Sequence, residues 1–170
     1  MNKISIIKAS ENMCAELAKI KRQVWETTYR GIYPDEKLDN YNFTDNESKF
    51  KSYIKSPIID LYVAMIDNKI VGYTAVGKSD KRKTCQESEV VLLYILKQFQ
   101  GMGIGKKLFD FAKNKLKKEG HKQFVVYCNK YNVNAQSFYK KMGGKVIHVD
   151  DDNENHSLPQ IKFLYNSESV

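Results

Sequence analysis

The sequence predicts an α/β fold in a single domain spanning residues 1–170, with a mixed central sheet of about six to seven strands flanked by four helices. Three observations predict it. A β-rich apolar run at 89–96 passes through a glycine-dense turn straight into a helical pattern, with no spacer between them. Before and after that unit, the hydrophobic period switches repeatedly between strand and helix. Finally, 170 residues with 42% hydrophobic and 12% aromatic content suit one sizeable core, and no repeat, low-complexity segment or linker divides them.

Residues 3–8 alternate loosely and carry Ile4, Ile6 and Ile7, a first strand whose exit makes Ser10 a helix N-cap. From Glu11 onward Met13, Leu17, Ile20 and Val24 fall at helical intervals, predicting a helix to about residue 28 that delivers Trp25 and Tyr29 to its end. The stretch 30–42, with Gly31, Pro34 and Asn40, predicts a loop holding at most a short helical turn. Thr44 and Glu47 stand at capping-box spacing ahead of Phe50, Tyr53 and Ile54, a second short helix stopped by Ser56 and Pro57. Strand-like runs at 61–66 and 69–77 flank Asp67 and Asn68, a tight hairpin signal, and 78–88 is a polar, lysine-rich loop. The run 89–96 has no helical spacing and reads as a central strand buried on both faces. Ile104, Leu108, Phe111, Ala112 and Leu116 then recur at helical spacing until Gly120 stops the helix. The strand at 123–128 should lie parallel to the central one because a helix intervenes. Ala135, Phe138, Tyr139 and Met142 form one stripe of a helix over 132–142, closed by Gly143 and Gly144, and strands at 145–149 and 161–165 end the chain around an acidic segment at 150–154.

Gly101, Gly103 and Gly105 remove Cβ atoms from a bend and let a ligand approach the backbone, while the first turn of the following helix aims its N–H groups out of the loop. Such a helix start is an anion site. The P-loop pattern does not fit, since Gly101 to Gly105 is one residue short and Lys107 stands where a Mg²⁺-binding hydroxyl is needed. The dinucleotide fingerprint G-x-G-x-x-G fails too, with Lys106 in its third glycine's place. What fits is Q-x-x-G-x-G at Gln100, Gly103 and Gly105, placed after E-[IV]-x-x-L-Y-[VI] at Glu89, Val90, Leu93, Tyr94 and Ile95.

This combination resembles the acetyl-CoA loop of the GNAT superfamily of N-acetyltransferases. Asn132, Ala135, Phe138, Tyr139, Lys140 and Lys141, Gly143 and Gly144 resemble its second motif, with Gly144 standing where phenylalanine is commoner. The element order β-α-α-β-β-β-α-β-α-β-β is also that family's, so the resemblance covers essentially the whole chain and implies the acyl-CoA N-acyltransferase fold. It further implies an acetyl-CoA-dependent N-acetyltransferase that passes an acetyl group directly to a primary amine of a small molecule or peptide in a ternary complex, with no metal. A catalytically silent acyl-CoA-binding sensor or partner module is the alternative.

By the resemblance, the backbone of Gln100, Gly101, Met102, Gly103, Ile104, Gly105 and Lys106 cradles the pyrophosphate. Backbone groups near Tyr94 and Ile95 bond the pantetheine arm and polarise the thioester carbonyl, with Asn132 as a further partner of the arm. Tyr139 is the candidate general acid toward the sulfur, although its stripe position alone would make it a core aromatic. An amine with pKa near ~10 needs a base or proton relay, and Glu89 is the candidate, with Glu87 competing. Trp25, Tyr29, Tyr33 and Glu87 are the candidate acceptor-side residues.

The net charge of +8 is unevenly spread: eight lysines stand against Asp110 and Glu119 over 97–122, whereas 150–154 reads Asp-Asp-Asp-Asn-Glu. No aromatic RNA motif or helix-turn-helix accompanies the basic stretch, which argues against nucleic acid. Acidity at Glu26, Asp35, Glu36, Glu87, Glu89 and 150–154 falls on segments that can surround the acceptor pocket and would favour a cationic acceptor, a polyamine first, the alternative being scattered solvent-facing charges that keep loops soluble. No apolar stretch approaches a membrane span and the amino terminus lacks a signal-peptide core, so a cytoplasmic location is expected, with a homodimer left open. Cys14, Cys85 and Cys128 show no paired spacing, and His121, His148 and His156 show no metal spacing.

Overall fold

The computed structural model describes residues 3–78, 87–149 and 159–168; Cys85, His156, the acidic 150–154 segment and most of the 78–88 loop lie outside the described residues. Strand β1 (Ser5–Lys8) leads through one 3₁₀ turn into helix α1 (Cys14–Tyr29), then α2 (Asp35–Asp39) and α3 (Phe43–Lys55). The hairpin β2 (Ile59–Ile66) and β3 (Lys69–Lys78) is followed by β4 (Ser88–Ile95), α4 (Ile104–Lys118), β5 (Gln123–Asn129), α5 (Val133–Lys141), β6 (Lys145–Val149) and β7 (Gln160–Asn166). The strands form one seven-stranded mixed sheet in the order β1-β2-β3-β4-β5-β7-β6. Every neighbouring pair is antiparallel except β4 and β5, which the α4 crossover makes parallel.

Helices α1 and α3 cover one face of the β2–β4 half of the sheet, where Leu17, Val24 and Phe50 pack on Leu61, Val63, Tyr73 and Ala75. On the opposite face α4 spans the middle of the sheet, sending Ile104 and Leu108 onto Ala64, Ile66 and Val71 of β2 and β3. Its Phe109, Ala112 and Leu116 pack with Tyr139 of α5 against Phe124, Val126, Phe163 and Tyr165. The sequence stripe missed Phe109, which is fully buried, whereas Phe111 is half-buried with its ring edge on Tyr62. Both positions fit a 3.6-residue period, and only the sheet beneath decides which one points inward.

Three local expectations shift for identifiable reasons. Ser10 precedes the 3₁₀ turn, but its hydroxyl donates to Asn12 Oδ1 and makes no cap to a backbone N–H. Asn42, and not Thr44, caps α3: its extended backbone lets Oδ1 accept from Asp45 N at 3.0 Å, which leaves Thr44 inside the first turn. The 30–42 stretch holds the short α2, so the described residues contain five α-helices. The hairpin turn is as expected, with Asp67 and Asn68 both at positive φ (48° and 61°), the type I′ pattern that suits the twist of paired strands.

Candidate active site

The site begins with backbone pairing. β4 is zipped to β3 from Ser88 to Ile95, yet it pairs with β5 only at Glu89 opposite Val125. Beyond that point the two parallel strands diverge, leaving the β5-facing N–H and C=O groups of β4 without a strand partner and available to a ligand. The β3–β4 register skips Val91, a bulge that bends β4 just where it leaves β5. A cavity of about 810 Å³ occupies the opening. The expectation of a strand buried on both faces over 89–96 therefore holds for Glu89, Val90 and Leu96; Val91 to Ile95 are half-buried along the cavity wall.

At one end of the opening lies the glycine loop. Gln100 Nε2 donates to Ile95 O at 3.1 Å, tying the loop back to the end of β4. Gly101 and Gly103 sit at φ 77° and 78°, a left-handed geometry costly for any side chain, and Gly103 is the N-cap of α4. Gly105 is required for a different reason: a Cβ there would stand 3.0 Å from Ile95 Cδ1 and 3.4 Å from Phe138 Cε2, so the helix start must press closely on β4 and α5. Gln100, Gly101, Gly103, Gly105 and Lys106 all line the cavity. Met102 and Ile104 do not. The Met102 side chain is 58% exposed and that of Ile104 is fully in the core, so either one can contribute to the cradle only through its backbone.

Tyr94 and Ile95 form one wall, and Asn132, Ala135, Phe138 and Tyr139 of the α5 region form part of the other. Asn132 Oδ1 caps α5 through Ala135 N (3.1 Å), and the same side chain hydrogen-bonds the Tyr29 phenol. Tyr139 is buried among Phe109, Phe138 and Phe163, and burial pushes its phenol well above the usual tyrosine range, keeping it protonated at neutral pH. Its backbone oxygen accepts from the Tyr165 hydroxyl at 2.8 Å. A Cβ at Gly144 would meet that hydroxyl at 2.5 Å, so here a tyrosine from β7 fills the space beside residue 144 and excludes a side chain.

Glu89 lies at the paired end of the opening, 6% exposed and facing the cavity. Glu87 is not in the cavity wall; it forms an ion pair with Lys162 at 2.5 Å. Trp25, Tyr29 and Tyr33 converge on the cavity as expected, with Tyr29 and Tyr33 stacked at 4.5 Å and the Trp25 ring edge-on to both. Burial raises the Tyr33 phenol to about 12 and the Tyr94 phenol above its usual value. Two of these aromatic faces carry the protein's own cations: Lys21 Nζ lies 4.6 Å from the Trp25 ring and Lys37 Nζ 4.5 Å from that of Tyr33.

Part of the expected ring of acidity is engaged elsewhere, and its 150–154 segment lies outside the described residues. Arg30 binds Glu26, Asp35 and Asp39 and so pins α2 against the end of α1, with hydrogen bonds from Arg30 and Arg22 holding the Glu26 carboxyl below the usual range. Among the described residues Glu89 is the one carboxylate in the cavity wall, beside Lys21, Lys49, Lys97 and Lys106. The wall also contains Tyr127, Cys128, Asn129 and Tyr131, none of which the sequence marked as a site residue. Their one signal there is position, at the end of a strand expected parallel to β4. Among the described residues no group of three or more His, Cys, Asp or Glu could hold a metal ion, and no helix is long and apolar enough to cross a membrane.

Residues 29–161 match the acetyltransferase (GNAT) domain family. A spermidine N(1)-acetyltransferase of Thermoplasma acidophilum is 26% identical over 154 residues, covering 86% of this chain and 91% of that protein. An uncharacterized N-acetyltransferase of the pepI 3′ region in Lactobacillus delbrueckii subsp. lactis is also 26% identical, over 84% of this chain and 85% of its own length. The crystal structure of PaiA N-acetyltransferase from Thermoplasma acidophilum in complex with coenzyme A superposes with a TM-score of 0.77 at 24% identity, covering 96% of this chain and 99% of that one. At that identity the superposition speaks for the fold.

Proposed function

The chain belongs to the GNAT family of N-acetyltransferases, and from that premise we propose that it transfers the acetyl group of acetyl-CoA directly to the primary amine of a small molecule or peptide, with Glu89 as base and Tyr139 as acid. The observation that carries the reading is the opening between β4 and β5, which has the glycine loop and α4 N-terminus at one end and a buried carboxylate at the other. Acetyl-CoA fits the residues present. The first-turn N–H groups of α4 suit the pyrophosphate, and the unpaired edge of β4 offers donors and acceptors to the amides of the pantetheine arm.

Glu89 takes the proton of the acceptor ammonium, directly or through water, and the neutral amine attacks the thioester carbonyl. An N–H on the free edge of β4 stabilises the oxyanion as it forms. Collapse expels the CoA thiolate, Tyr139, held neutral by burial, supplies the sulfur with a proton, and the surplus proton of the new amide nitrogen passes to the tyrosinate, directly or through water. Cys128 also faces the cavity, but burial raises its thiol to about 12, so it is no nucleophile at neutral pH and an acetyl-enzyme on it is not part of the mechanism. The enzyme is expected to work in the cytoplasm. A polyamine is the first acceptor to test. Its support is the similarity to a spermidine N(1)-acetyltransferase together with Glu89 in the cavity wall.

The test is CoA release from acetyl-CoA against spermidine, spermine, an aminoglycoside, amino acids and short peptides. Intersecting initial-velocity lines with at least one amine are expected. Parallel lines would refute direct transfer, and binding of acetyl-CoA without turnover of any amine would leave the silent acyl-CoA-binding module in its place.

A further inference from the structure

Asn129, the last residue of β5, is 5% exposed and belongs to the cavity wall. Its carbonyl accepts from Asn132 N at 3.0 Å, and because the adjacent Lys130 N–H bonds Pro159 O, Asn129 stands opposite Gln160 at a non-hydrogen-bonded position of the β5–β7 ladder. Its side-chain oxygen is employed too, accepting from Tyr131 N at 2.8 Å. That contact also fixes which way the amide faces, since a flipped side chain would set an NH₂ group against the Tyr131 N–H. The group left over is Nδ2, which is buried and has no hydrogen-bond partner. A buried amide donor without an acceptor is costly, and native structures seldom keep one unless a ligand or water completes it.

The position of Asn129 says what completes it. β4 and β5 run parallel from the pairing of Glu89 with Val125, so Asn129 stands across the opening from the Leu93 to Tyr94 level of β4. The Tyr94–Ile95 end of β4 leads through a 3₁₀ turn at Lys97–Phe99 into the glycine loop, which Gln100 ties back to Ile95 O, so this level adjoins the loop and lies at the opposite end of the opening from Glu89. A ligand stretched from the loop toward Glu89 must pass between β4 and Asn129. Nδ2 can only donate, so it calls for an oxygen acceptor, and the pantetheine arm carries two amide carbonyls along its length. We propose that Asn129 is a further acetyl-CoA-binding residue, whose Nδ2 donates to a carbonyl oxygen of the pantetheine arm from the β5 side while the free edge of β4 holds the arm from the other.

This assignment rests on the acetyltransferase reading, and calorimetry separates the two. The full chain is titrated with CoA, which binds without turnover, and with ADP, which keeps the pyrophosphate and lacks the arm. Asn129→Asp preserves an oxygen for Tyr131 N–H and removes the donor; Asn129→Ser removes the donor without adding charge and is read if the first variant fails to fold. The expected result is a rise in the Kd for CoA of about tenfold, with the Kd for ADP unchanged. Unchanged CoA affinity, an equal loss for CoA and ADP, or a loss confined to the KM of the amine would each overturn the assignment. Failure of the unsubstituted protein to bind CoA at all would overturn the acetyltransferase reading itself.

Discussion

The two edges of β4 behave as if they belonged to different proteins. On the β3 edge the ladder runs the length of the strand; its irregularity at Val91 is sealed by Thr74, whose hydroxyl donates to Leu92 O at 2.8 Å from a fully buried position. On the β5 edge the ladder ends after Glu89, and a cavity takes the place of a neighbouring strand. One strand is thus fully paired on one side and lines an open cavity on the other. The rigid edge holds the free edge open, so the polar backbone groups there are oriented before a ligand arrives and little ordering remains to be done on binding.

The sharpest way to probe that contrast is to change the open side, where chemistry should suffer and stability should not. Glu89→Gln is expected to lower kcat/KM by about 10²-fold or more. The Kd for acetyl-CoA, measured by calorimetry, should stay within about twofold. A loss of less than about threefold in rate would move the base elsewhere.

Tyr139→Phe keeps the ring in its aromatic packing and removes only the hydroxyl, so kcat should fall by about tenfold to a hundredfold with acetyl-CoA affinity retained. The pH profile adds a sign. Burial raises the Tyr139 phenol, so the acid form persists through the neutral and mildly alkaline range, and kcat should show no descending limb from this group below pH about 10. A limb between about pH 7 and 9 that disappears in Tyr139→Phe would contradict the raised phenol. One that persists in the variant would belong to another group.

Gly103→Val tests the end of the open side. At φ 78° a β-branched residue costs about 1–2 kcal/mol of backbone strain, while no protein atom lies within 4 Å of the added Cβ. The fold should survive. Because the loop must reshape, CoA binding should weaken by about tenfold, and an unaltered Kd would remove Gly103 from the cradle.

The smallest expected effect lies on the closed edge. Thr74→Val deletes the bond to Leu92 O at nearly constant shape, which should cost about 1 kcal/mol. For a chain of this size that lowers Tm by roughly 2–4 °C. Steady-state constants should be unchanged, and a rate altered more than about twofold would show that the two edges are mechanically coupled.

Features governed by a few adjacent residues were legible in the sequence. The Asp67-Asn68 hairpin, the stops at Gly120 (φ 84°) and Gly143 (φ 88°), and the glycine loop all depend on local backbone preference, so composition and spacing were enough. Both motifs that resemble the GNAT pattern fall on the elements expected for them, and their residues meet at one cavity. What stayed hidden required partners far away in the chain. Asn42 and Thr44 are both good caps, and the extended backbone at Asn42 chose between them. Phe109 and Phe111 share one helical period, and the sheet under α4 chose the first. Of the carboxylates that suggested an acidic pocket, Glu26 and Asp35 are bound by Arg30 and Glu87 by Lys162 where the end of α1, α2 and β7 come together, while Glu89 lies in the cavity wall. The divergence of β4 from β5 was the least visible of all, and so was the orphaned amide of Asn129 that faces it. Side-chain pattern records which faces of a strand are apolar, but the pairing of β4 with β5 joins segments more than thirty residues apart; only the assembled sheet decides where these two strands stop touching and a cavity opens.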